Sequence, residues 1–101
     1  MINHAVPTLT KEVILKYTTP NVVRKWKSLG STGFGIPVSK LKEIESTTIS
    51  DEEYLAIIIN MWLQGIGQPP SWRMLIYALD KIEENEVANT LMKFTEPQQG
   101  I

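Results

Sequence analysis

The chain has 101 residues, 43% of them hydrophobic and 21% charged, which suits one modest core, excludes a large two-domain enzyme and argues against extended disorder. It contains no cysteine, so disulfides, thiolate zinc fingers and thiol nucleophiles are excluded and a reducing compartment is expected. The net charge of −1 hides a division: residues 1–42 carry seven cations against Glu12 alone, and residues 43–101 carry ten acids against Arg73, Lys81 and Lys93. A chain divided in this way can present a dipolar surface that attracts its own kind or a similarly divided partner.

Residues 1–7 read as an N-terminal extension. Leu9, Val13 and Tyr17 then recur at helical spacing beside Ile14, with Thr8 or Thr10 available as a cap, which predicts a helix over 9–18. Thr19 and Pro20 read as a cap and a first helical residue, and Gly30 as a left-handed C-terminal residue, so a second helix is expected from Pro20 to Leu29. Its apolar stripe is Val22, Val23, Trp26 and Leu29, with Arg24, Lys25 and Lys27 on the other faces. The glycine-rich stretch Gly30 to Gly35 reads as a turn. It is not a phosphate-binding loop, because no strand precedes it and no Gly-Lys-Ser/Thr ending follows.

Pro37 opens a short third helix with Val38, Leu41 and Ile44 inward. Ser50 and Glu53 form a capping box, and Asp51 and Glu52 add negative charge at the positive end of the helix dipole. From Tyr54 to Leu63 the fourth helix is apolar round most of its circumference, which places it centrally. Gly65 and Gly67 stop it, Gln68-Pro69-Pro70 extends the connection, and Ser71 caps a fifth helix carrying Trp72, Leu75, Ile76, Leu79 and Ile82. A sixth follows with Val87, Ala88, Leu91 and Met92, ending near Phe94, and 96–101 read as a frayed tail. The expected fold is all-α, a compact six-helix bundle with many antiparallel neighbours.

The stock of catalytic groups is thin. His4 is the only histidine and lies in the N-terminal extension, so neither a Ser–His nor a Cys–His arrangement has anything to build on. No catalytic, metal or cofactor site is expected. Asp51, Glu52 and Glu53 point in different directions on a helix and serve its dipole, and Trp26, Trp62 and Trp72 are needed to fill a small core. The Arg24, Lys25, Lys27 cluster admits an alternative reading as a small helical nucleic-acid-binding domain, against which the acidic remainder counts. A folded spacer with no partner of its own is a third reading. No stretch has the length or flanks of a membrane anchor or signal peptide, so no membrane contact is expected.

Four segments resemble the death domain family of the death-fold superfamily: Trp26-Lys27-Ser28-Leu29-Gly30 its W-x-x-L-G, Leu41-Lys42-Glu43-Ile44-Glu45 its L-x-x-I-E, Met61-Trp62 its M-x-x-W, and Trp72-Arg73-x-Leu75-x-x-Ala78-Leu79 its W-x-x-L-x-x-A-L. The resemblance covers about 8–95, and departs from the pattern in the adjacency of Met61 and Trp62. It implies a Greek-key six-helix bundle that is cytoplasmic and non-catalytic, an adaptor that self-associates or binds other death-domain proteins in apoptotic or innate-immune signalling. The surfaces it implies are a basic patch of Arg24, Lys25, Lys27, Lys40 and Lys42, and an acidic counterpart of Asp51, Glu52 and Glu53. Ile66, after the fourth helix, is a further candidate contact. No small-molecule substrate is implied.

Overall fold

A computed structural model describes residues 6–47, 49–65 and 70–95. Most of these residues are helical, and none is in a strand. Thr10 caps the first helix, α1 (Lys11–Val22), its hydroxyl accepting the Val13 N–H at 3.3 Å. The helix runs straight through Thr19 and Pro20, so the break expected there is absent. The Thr18 hydroxyl donates to the Ile14 carbonyl inside the core at 2.9 Å, and Val22, one turn further on, is fully buried. Ending the helix at Thr19 would pull Val22 out of the core. Continuing it costs Pro20, whose side is exposed, one missing N–H and a ring clash with the preceding turn.

The path breaks instead at Val22 (φ −112°, ψ −10°) and at Lys25 (φ −105°, ψ 22°). Where a regular second helix was expected, 23–33 is a stack of a 3-10 turn (Val23–Lys25), one α-turn, α2 (Trp26–Ser28), and a π-turn (Leu29–Gly33). Gly30 is not left-handed. It is needed for close approach, since a Cβ there would lie 2.9 Å from Cδ2 of Leu41. The left-handed residue is Gly35 (φ 77°), where the Phe34 N–H bonds to the Leu29 carbonyl at 2.7 Å and the Ile36 N–H to the Gly30 carbonyl at 2.8 Å.

Helix α3 (Val38–Glu45) buries Leu41 and half-buries Ile44, but Val38 is 58% exposed and does not face inward. Ile36, 2% exposed, already fills the core ahead of the helix, and exposed Pro37 turns the backbone outward before Val38. Helix α4 (Asp51–Leu63) begins at a complete capping box: the Glu53 N–H donates to Ser50 Oγ at 3.2 Å and the Ser50 N–H to the Glu53 carboxylate at 3.3 Å. It buries Tyr54, Leu55, Ile58, Ile59 and Trp62 and ends at left-handed Gly65. The Tyr54 hydroxyl staples the α3–α4 connection, donating toward the carbonyls of Thr47 (2.5 Å) and Glu45 (3.2 Å).

Ser71 caps α5 (Trp72–Lys81) through the Met74 N–H at 3.1 Å. Its end is a Schellman motif: the Glu84 N–H bonds to the Leu79 carbonyl at 2.9 Å and the Glu83 N–H to the Asp80 carbonyl at 3.0 Å, with Glu83 left-handed at φ 65°. Helix α6 (Asn85–Leu91) buries Val87, Ala88 and Leu91 and tightens into a 3-10 turn (Met92–Phe94). The change of period carries Met92 off the buried stripe, leaving it 42% exposed rather than in the core.

The most extensive packing is of α5 with α6, α5 with Leu29–Gly33, and α1 with α4. Neighbours in sequence and elements distant in it thus pack together around one core. All three tryptophans belong to it, Trp62 stacked on Phe34 (4.7 Å, 6°) and Trp26 on Tyr54 (4.5 Å, 22°). Trp72 Nε1 donates to the Pro7 carbonyl at 3.1 Å, which ties the chain before α1 to the start of α5. No helix among the described residues is long and apolar enough to cross a membrane.

A candidate protein-docking groove

Gly30, lacking a side chain, lets Leu41 of α3 settle onto the 23–33 segment. The two elements leave between them a groove of about 180 Å³ lined by Lys27, Ser31, Val38, Leu41, Lys42 and Glu45. Its floor and wall are apolar, Leu41 being buried and Val38 exposed. Its rim is charged. Lys27 Nζ lies 2.7 Å from Glu45 Oε2, joining the segment to the end of α3, with both side chains about half exposed. Ser31 Oγ donates to the Lys27 carbonyl at 2.9 Å and so can offer a partner only an acceptor.

The fold brings the basic residues expected from sequence onto two adjacent elements, but it also occupies three of the five. Lys25 pairs with Glu84 at 2.7 Å, Lys27 with Glu45 at 2.7 Å, and Lys40 lies 3.9 Å from Glu43. Exposed pairs of this kind contribute only ~0–1 kcal/mol to stability, yet they cancel charge at the surface. Among the described residues Arg24 and Lys42 make no ion pair, which leaves Lys42 the uncompensated cation of the groove and Arg24 a second one on the 23–33 segment.

Asp51, Glu52 and Glu53 are all exposed on the first turn of α4. Glu53 is engaged by the cap, whereas Asp51 and Glu52 make no ion pair among the described residues. Ile66 lies outside the described residues. Among those residues no three potential metal-ligating side chains converge.

A second, shallower cleft of about 330 Å³ separates the 23–33 segment from the α5–α6 turn, lined by Lys25, Ser28, Thr32, Lys81, Ile82 and Glu83. Lys25 reaches across its edge to Glu84, whose side chain is only 15% exposed.

Sequence reasoning missed Val38, which helical spacing assigned to the core. The available signal was its place as the first residue after Pro37, where an eight-residue helix has not yet come down onto its neighbours. It also missed Tyr77, 55% exposed on α5, which the apolar pattern of that helix passes over in silence. Comparison of the chain with family models, with curated proteins and with solved structures found no match.

Proposed function

We propose that the chain is a non-catalytic interaction module of the death-domain type, a six-helix Greek-key bundle in which 23–33 takes the place of the second helix. It acts as a cytoplasmic adaptor in apoptotic or innate-immune signalling, associating with copies of itself or with other death-domain proteins. The observation that carries this reading is the groove. An exposed valine, an apolar floor and Lys42 line it, exposed Arg24 stands on the same 23–33 segment that forms one wall, and another helix displays exposed Asp51 and Glu52; none of these four charges makes an ion pair among the described residues. Apolar contact supplies the affinity and the opposed charges fix the register.

The two surfaces differ, so contacts between them are heterologous and extend through further copies. One exposed ion pair contributes ~0.2–1 kcal/mol, and a stable assembly therefore relies on Val38 and on repetition of the contact. The nucleic-acid reading draws less support, because two of the three cations it would use, Lys25 and Lys27, are already paired with acids of the chain.

A charge-swap experiment tests the proposal. Arg24→Glu with Lys42→Glu is expected to abolish self-association without lowering the melting point, since both side chains are exposed. Mixing that variant with Asp51→Lys, Glu52→Lys is expected to restore association, with the two variants alternating in the assembly. Failure of both variants to affect association would place the contact elsewhere.

A further inference from the structure

We propose that the outward face of α5 is a second docking site, for an extended partner segment that carries two acids flanking an apolar residue at alternate positions. Arg73, Tyr77 and Lys81 stand at four-residue intervals along this helix, and all three are exposed. Residues at that interval form one row on a helix surface. The opposite face of α5, with Trp72, Leu75, Ala78 and Leu79, is buried, so the row rests on a rigid support. Lys81 Nζ lies 4.5 Å from the centroid of the Tyr77 ring and holds ring and ammonium together. Neither Arg73 nor Lys81 makes an ion pair among the described residues.

The spacing selects the partner. Four helical residues rise about 6 Å, and two residues of an extended chain advance about 6.6–6.8 Å. An extended segment lying along α5 therefore brings every second side chain over successive members of the row. An acid meets Arg73, an apolar side chain meets the Tyr77 ring, and an acid meets Lys81. Exposed tyrosine and arginine on a rigid element are the residue types that dominate binding energy at protein interfaces.

Charge also limits the length of the partner's acidic run. Asp80 is exposed next to Lys81, and Glu83 lines the cleft just beyond it. A long polyanion would meet these carboxylates as well, whereas a segment with only two acids avoids them. This site shares no residue with the groove and stands independently of the proposed self-association.

The experiment is a titration of the full isotope-labelled chain with a synthetic peptide in which two glutamates flank a leucine at alternate positions, followed by amide chemical shifts. Shifts are expected to cluster on 73–81. Tyr77→Ala is expected to weaken binding about tenfold, and Arg73→Glu with Lys81→Glu to abolish it, with unchanged helical circular dichroism in both. A control peptide with both glutamates adjacent to the leucine is expected to bind more weakly. An unchanged spectrum at millimolar peptide, shifts that fall on 24–42 instead, or equal binding of the two peptides would each overturn the proposal.

Discussion

Glu83 occupies a left-handed backbone position (φ 65°) that closes the Schellman motif of α5. A side chain there costs roughly 1–2 kcal/mol that glycine does not incur. Part of this is offset by the greater freedom that glycine gives the unfolded chain. Glu83→Gly is therefore expected to stabilise the protein by about 0.5–1 kcal/mol, read as a higher urea midpoint at unchanged slope. A lower midpoint would mean that the Glu83 side chain contributes a contact outweighing the strain. Nothing local marks Glu83 as left-handed; the left-handed residue expected from sequence was Gly30, at the end of the second helix. Glycine serves two ends that look alike in a sequence, positive φ at Gly35 and close approach at Gly30. Only the position of Leu41, eleven residues away, tells them apart.

At the level of elements, α4 and α5 were legible because their starts are written locally. Ser50 with Glu53, and Ser71 three residues before Met74, satisfy their own helix ends within one turn. The 23–33 segment was not legible. Its turns follow from partners distant in sequence, Trp26 stacking on Tyr54 of α4 and Gly33 lying against Ala78 of α5, where a Cβ would come within 3.2 Å of both the methyl and the carbonyl oxygen. Pro20 gives the sharpest contrast between the two readings. At a helix start its fixed φ is favourable and Pro20→Ala would be neutral or destabilising. Inside α1 the same substitution restores an N–H to the Lys16 carbonyl and removes a ring clash, so it is expected to stabilise by about 1–3 kcal/mol, measured by thermal melting followed at a helical wavelength. A fall in the melting point would return the helix boundary to Thr19.

For the molecule as a whole, the sequence announced a basic front and an acidic back, and folding joins them. Lys25 with Glu84 and Lys27 with Glu45 pair residues from opposite halves, so the charge division is smaller at the surface than along the chain. Among the charges that make no ion pair among the described residues are Arg24 on the 23–33 segment, Lys42 in the groove with Val38, and Asp51 and Glu52 on α4. Composition could show that complementary charge existed but not which charges would be used up inside the fold. The central claim, that this remaining complementarity drives association of copies through the Val38 groove, is tested most directly by sedimentation equilibrium of the wild-type chain and Val38→Asp over a series of salt concentrations. The account predicts a wild-type chain that self-associates at low salt and dissociates as salt rises, with Val38→Asp monomeric at low salt and equally stable. A wild-type chain that stays monomeric at every salt and protein concentration, or a Val38→Asp variant that associates as well as the wild type, would contradict it.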